Sequence, residues 1–370
     1  LIGDVLARLG DLPDDHFDCV VTSPPYWGLR DYGVAGQLGL EPTLGEHLTA
    51  MVGVFEEVKR VLKPTGTLWL NYGDCYATSP NGRSVADTKA AGGDDRTFRD
   101  KPFSTIGGAL KAKDLCMVPN RLAIALQEAG WWVRSEIIWA KPNPMPESIN
   151  DRPATSHEKI FLLSKRPRYF YDAEAVRQGL APASVSRLAQ DVEAQEGSHR
   201  ANGGAKTNGT MKAVGGARRR DSFKRDESKR GVAHIGQNMG THRPDREDVA
   251  YPRGEGRNLR NYEPAPVQVW EVAIRPFKDA HFATFPPELA ERCLKAGCPP
   301  GGTVLDPFGG AGTTGLVADR MGLDCTLIEL NPEYAEIARK RIASDAGLLA
   351  TVAVSAPDAP AAPSLFGDAA

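Results

Sequence analysis

Apolar positions recur along the chain at two spacings, and together they mark out two blocks of alternating strands and helices. Phe17-Asp18-Cys19-Val20-Val21-Thr22 is a short, nearly continuous apolar run and predicts a buried strand. From Glu46 to Leu62 apolar side chains fall at helical spacing (Leu48, Met51, Val52, Phe55, Val58, Leu62), and Lys63-Pro64 marks the helix end. Gly66 to Asn71 predicts a strand, Leu115 to Ala129 a helix closed by Gly130, and Trp132–Trp139 and Glu158–Leu163 two further strands. Tyr169-Phe170-Tyr171 is suited to extend the same sheet. In the second block Pro286–Ala296 predicts a helix, Thr303–Leu305 a strand, Thr313–Arg320 a helix, Cys325–Leu330 a strand and Pro332–Ile342 a helix. Strands alternating with helices imply an α/β fold with a mostly parallel sheet. There is no internal repeat.

Two stretches break this pattern. Residues 173–265 are Gly-rich and poor in large apolar side chains, and residues 78–113 form a smaller insert of the same kind. The first holds 17 Lys and Arg against 12 Asp and Glu, a net of +5 inside a chain whose total is −2. The second holds 7 basic against 4 acidic residues. Such segments supply little core of their own and read either as solvated linkers or as basic surface for a polyanion. Arg218-Arg219-Arg220 and Lys224-Arg225 are the densest basic groups. The Ala/Pro-rich tail after Asp345 is expected to be disordered.

With 41% hydrophobic and 25% charged residues, the composition is that of a soluble globular protein of 370 residues. No stretch approaches the roughly 18 apolar residues of a membrane helix, and no secretory leader is expected. The chain starts at Leu1 rather than Met, so a few residues are expected to precede it. The cysteines at 19, 75, 116, 293, 298 and 325 include no CxxC pair, which argues against a metal site or a disulfide framework. Five of them sit among apolar neighbours, as reduced core residues of a cytoplasmic protein do.

Two constellations carry chemistry. The first is Val304-Leu305-Asp306-Pro307-Phe308-Gly309-Gly310-Ala311-Gly312-Thr313-Thr314-Gly315, a strand running through a glycine turn into a helix, with Glu329 at the end of the next strand. This places backbone and an acid where a nucleoside ligand binds in α/β sheets, the acid on the ribose hydroxyls. The spacing fits a nicotinamide dehydrogenase as well as a methyl-donor enzyme. Asp306-Pro307 at the strand end favours a cationic ligand, because a carboxylate there would repel a pyrophosphate. The second is Thr22-Ser23-Pro24-Pro25-Tyr26-Trp27, where two prolines fix a rigid turn directly after a strand. Ser23 and the Pro24 carbonyl can accept the two hydrogens of a planar ring's amino group, and Tyr26 can stack on that ring.

The two constellations together closely resemble the amino-methylating DNA methyltransferases, the N4-cytosine/N6-adenine family. Further matching pieces are Gly3-Asp4, Ile138-Trp139-Ala140-Lys141-Pro142-Asn143, His157-Glu158-Lys159-Ile160 and His281-Phe282-Ala283-Thr284-Phe285-Pro286. The order, catalytic turn first and donor-binding turn last, resembles the circularly permuted beta class. The resemblance covers about residues 1–172 and 266–345, and no family pattern is recognisable in 173–265.

It implies a Rossmann-like fold dependent on S-adenosylmethionine, and one methyltransferase domain in two halves (1–172 and 266–345) separated by a target recognition insert (173–265), with a tail at 346–370. Asp306, Pro307, Phe308, Gly310, Gly312 and Thr313 would hold the donor, Glu329 its ribose, and Asp4 and Phe285 its adenine end; a helix N-cap accounts for Asp4 equally well. Ser23, Pro24, Pro25 and Tyr26 would be catalytic, acting on a base flipped out of double-stranded DNA, with Arg218, Arg219, Arg220, Lys224 and Arg225 as DNA contacts. Lys141, Asn143, His157 and Glu158 match the pattern in either a structural or a catalytic capacity. A serine opening the catalytic turn resembles the cytosine-N4 members, with adenine N6 as the alternative and an NAD-dependent oxidoreductase the distant one. No Cys follows a Pro, so the covalent nucleophile of the C5-cytosine enzymes is absent. A cognate restriction endonuclease acting on the same site, and a monomer or homodimer, complete the expectation.

Overall fold

The computed structural model describes residues 1–29, 31, 33–79, 103–177, 267–275, 285–346 and 352–355. Leu1–Val176 and Val267–Ala370 form one compact unit and Arg177–Pro266 a second. Arg218, Arg219, Arg220, Lys224 and Arg225, and the sequence piece 281–284, lie outside the described residues.

The chain enters through a short helix that the apolar pattern does not predict, α1 (Val5–Gly10), capped by Asp4, whose carboxylate accepts from Ala7 N–H. The strand β1 (Phe17–Thr22) and helix α2 (Leu44–Val61) follow. Thr43 and Glu46 close a reciprocal capping box at the start of α2, two residues ahead of the expected start. No loop follows α2: Leu62 is already extended, and β2 runs from Leu62 to Tyr72. Pro64 is tolerated there because the β1–β2 ladder is irregular between the pairs Phe17↔Leu62 and Cys19↔Thr67, so no ladder N–H is lost.

Helix α3 spans Val118–Glu128 rather than starting at Leu115, because Met117 adopts a left-handed φ of 57° and Pro119 belongs to a first turn. Strands β3 (Trp132–Ala140) and β4 (His157–Ser164) follow. Tyr169-Phe170-Tyr171 adds no strand; Phe170 N–H instead bonds the Thr65 carbonyl. The second block supplies β5 (Val269–Glu271), unpredicted because it is so short, then α4 (Pro287–Gly297), β6 (Thr303–Asp306), α5 (Thr313–Arg320), β7 (Asp324–Leu327) and α6 (Pro332–Ala346). β7 ends before Ile328, earlier than expected. In the tail, the Ser355 carbonyl accepts from Ile2 N–H.

The strands form one sheet in the order β5-β3-β4-β2-β1-β6-β7. All neighbours are parallel except for β4, which runs against both β2 and β3. Alternate residues of β2 feed two cores. Leu68, Leu70 and Tyr72 pack with Met51, Phe55 and Leu122 of α2 and α3. Trp69 packs with Leu289, Cys293 and Val317 of α4 and α5. The helices after β1 and β6 therefore lie on opposite faces, and a crevice opens at the carboxyl ends of these two adjacent strands, where α/β sheets bind ligands. No helix among the described residues is long and apolar enough to cross a membrane.

Candidate active site

At that crevice Asp306 ties the ends of β1 and β6 together. Its Oδ1 accepts from Thr22 Oγ1 (2.7 Å) and Phe308 N–H (3.0 Å), and its Oδ2 accepts from Thr314 Oγ1 (2.7 Å). The side chain is 1% exposed, and burial raises its pKa to about 6 against the pull of those hydrogen bonds. Asp306 is therefore not on the cavity wall, and the geometry corrects the expectation of a carboxylate presented to a cationic ligand. It orders the two turns that do line the cavity.

The cavity holds about 310 Å³, within the range of small-ligand sites. Pro307, Phe308, Gly310, Thr313 and Glu329 line one side, with Asp4 and Phe285 nearby. Gly310 N–H donates to Glu329 Oε2 (2.8 Å) and Asn331 N–H to Oε1 (2.9 Å), so backbone fixes the carboxylate at the rim. Burial still raises the Glu329 pKa. Asp4 is both the α1 cap and a lining residue, so the two accounts of it coexist. Gly312 does not line the cavity. At φ 74°, a Cβ on it would stand 2.8 Å from the Ala338 Cβ of α6, so it serves helix packing.

Ser23, Pro24, Pro25 and Tyr26 line the other side of the same cavity. The Tyr26 ring stacks on Tyr72 (centroids 4.7 Å apart, 28° between planes), and its hydroxyl donates to Glu158 Oε2 (2.7 Å). Burial, reinforced by Glu158, holds the Tyr26 phenol well above its ordinary range. Ser23 Oγ lies 3.2 Å from Tyr26 Oη. Asn71 Nδ2 reaches Glu158 Oε2 (2.9 Å), Tyr26 Oη (3.0 Å) and Ser23 Oγ (3.3 Å), and Lys141 Nζ pairs with Glu158 Oε1. Behind the turn, Tyr72 Oη accepts from Trp27 N–H (2.9 Å) and donates to the Pro25 carbonyl (3.3 Å). The fully buried His47 bridges Tyr72 Oη (2.7 Å) and Glu41 Oε2 (2.8 Å).

Of the pattern residues, Glu158 and Lys141 line the cavity, whereas Asn143 clamps Ile274 through N–H and C=O bonds and His157 is exposed. Asn71 escapes the sequence motifs. Its signal is a polar residue interrupting the apolar run Leu68-Trp69-Leu70 at the carboxyl end of a strand, where burial demands a polar partner. The described end of the smaller insert is not free loop: Thr105 is buried and bonds Thr78, and Phe103 meets Trp27 edge-on. Among the described residues no group of His, Cys, Asp or Glu could hold a metal ion.

A sheet with this strand order, a glycine turn and a Ser-Pro-Pro-Tyr turn meeting in one cavity define a Rossmann-like methyltransferase. The family model described as DNA methylase, for the N6/N4 enzymes, matches residues 17–340, and the chain belongs to that family. It is a DNA methyltransferase of the kind that draws its methyl group from S-adenosylmethionine, which leaves no place for a nicotinamide enzyme. The chain is 39% identical to the Type II methyltransferase M.XycI of Xanthomonas campestris pv. cyanopsidis over 340 residues, covering 92% of this chain and 86% of that one. It is 38% identical to M.SmaI of Serratia marcescens over 342 residues, covering 92% and 89%. Its fold is similar to that of the PvuII DNA methyltransferase (cytosine-N4-specific), with a TM-score of 0.53 at 17% identity over 92% of this chain and 84% of that one.

Proposed function

We propose that this protein methylates the exocyclic N4 amino group of a cytosine flipped out of double-stranded DNA. The observation that carries the reading is the meeting of the Ser23–Tyr26 turn and the Gly310–Glu329 rim in one cavity. A serine at the head of the turn supports cytosine, as does the fold shared with a protein whose name specifies cytosine N4.

The donor side fits S-adenosylmethionine: Glu329 is held with its carboxylate at the rim, Gly310 leaves backbone there uncovered by a side chain, and Phe308, Phe285 and Asp4 close the wall. Bound there, the donor supplies an electrophilic methyl carbon on a sulfonium. Ser23 and the Pro24 carbonyl accept the two amino hydrogens, which favours a pyramidal nitrogen and frees a lone pair otherwise delocalised into the ring. These acceptors strengthen as positive charge develops on nitrogen, so they act on the transition state. The Tyr26 face turned away from Tyr72 stacks on the flipped base. Double-stranded DNA is the partner, with the basic residues of 173–265 (Arg218, Arg219, Arg220, Lys224, Arg225) contacting it. The cytoplasm is the place of action, and a restriction endonuclease sharing the site is the biological counterpart.

The test is mass spectrometry of nucleosides from duplex DNA treated with the protein and methyl-labelled donor. N4-methylcytosine is expected. N6-methyladenine would overturn the base assignment and keep the chemistry.

A further inference from the structure

The hydrogen bonds beneath the catalytic turn have a direction. Tyr26 has one proton, and it points to Glu158 Oε2 at 2.7 Å. The 3.2 Å contact between Ser23 Oγ and Tyr26 Oη can then be made only by the Ser23 proton. Asn71 is 5% exposed and offers only N–H to this cluster, so neither hydroxyl proton is spent on it. Glu158 in turn is neutralised by Lys141, whose ammonium lies 4.5 Å from the Trp139 ring centroid. The chain Ser23–Tyr26–Glu158 thus starts at the cavity wall and ends on a largely buried carboxylate, Lys141 being 16% and Glu158 17% exposed.

From this we infer that Glu158 is the proton sink of the reaction and that Tyr26 is the relay joining it to Ser23; the inference rests on the amino-methylation reading above. Before reaction the chain draws the Ser23 proton inward and leaves its oxygen an acceptor toward the amine. As the amine nitrogen bonds the methyl carbon, the carbon–sulfur bond breaks with its electron pair going to sulfur, and the nitrogen holds one hydrogen too many. That proton passes to Ser23 Oγ while the Ser23 proton moves to Tyr26 Oη and the Tyr26 proton to Glu158 Oε2. The sulfonium charge and the carboxylate charge are both discharged, so no external base is needed. Glu158 returns its proton to solvent after product leaves. Glu158 takes up the proton through Tyr26 and Ser23, and Tyr26 both stacks on the base and relays the proton.

The test is a double-mutant cycle on single-turnover methylation of duplex DNA at saturating donor. Tyr26→Phe keeps the ring on Tyr72 and removes only the relay. Glu158→Gln keeps an oxygen to accept from Tyr26 and Asn71, and removes the sink together with the ion pair to Lys141. Each variant is expected to slow the turnover by about a hundredfold, a typical general-base loss. The pair is expected to be no slower than either alone, because both cut one chain. Donor affinity by calorimetry should match wild type even where the lost buried bonds lower the thermal midpoint, and the infrared carbonyl band of a protonated carboxyl should grow in during wild-type turnover. Multiplicative losses, undiminished single variants, or no such band would overturn the relay while leaving the function standing. If wild type methylates no DNA base, the function falls and the relay with it. If Glu158→Gln fails to fold, Tyr26→Phe decides by rate and band alone.

Discussion

Asp306 shows how one buried carboxylate can serve a site it does not touch. Three donors converge on it, yet burial still raises its pKa to about 6. A carboxyl whose folded pKa lies above its unfolded value costs nothing below about pH 4 and carries its full penalty above about pH 6, on the order of 3 kcal/mol. In Asp306→Asn the amide oxygen keeps the Thr22 and Phe308 donors. The amide nitrogen can donate to Thr314, whose hydroxyl then turns to the Val21 carbonyl 3.3 Å away. The variant should therefore gain stability over wild type as pH rises from about 4 to 7, read by urea denaturation at each pH. A difference that stays flat with pH would show that the carboxyl titrates normally. His47 makes the opposite case, since its two ring nitrogens hold Glu41 and Tyr72 in a dry place. His47→Leu should cost about 2–4 kcal/mol by removing a buried hydrogen-bond partner from each of Tyr72 and Glu41, measured by the same denaturation.

At the scale of elements, the glycine turn divides its labour. Gly310 faces the cavity and donates to Glu329, whereas Gly312 lets α6 sit against the start of α5. Gly312→Ala should cost about 2–4 kcal/mol, from the left-handed backbone and the clash with Ala338 together. Ala338→Gly should be cheaper in that background than in wild type, because it relieves the clash. A double-mutant cycle of denaturation midpoints that comes out additive would remove Ala338 from the explanation. Periodicity finds most of these elements but not their ends. It cannot register the left-handed Met117 that delays α3, nor that β2 starts without a loop, since both depend on neighbouring strands and caps. Nor can it find β5, whose three residues are extended because β3 pairs with them.

For the whole molecule, charge and fold lead to a prediction about DNA. Residues 173–265 carry a net +5 in a chain whose total is −2, and replacing Arg218, Arg219, Arg220, Lys224 and Arg225 by Gln should flatten the slope of log affinity against log salt. The expected change is about 0.9 for each phosphate no longer neutralised, in duplex-binding assays across a salt series. An unaltered slope would make that stretch a linker. The α/β class, the two turns and the acid Glu329 were legible in the chain itself, because each is a local pattern of apolar spacing, proline, glycine and charge. Tertiary structure alone decided that Asp306 stitches rather than lines, that Gly312 packs rather than binds, and that Asn71, Lys141 and Glu158 gather under Ser23 and Tyr26. Those roles come from strands distant in sequence that the sheet order brings side by side. Burial and partnership are properties of that arrangement, and local sequence does not contain them.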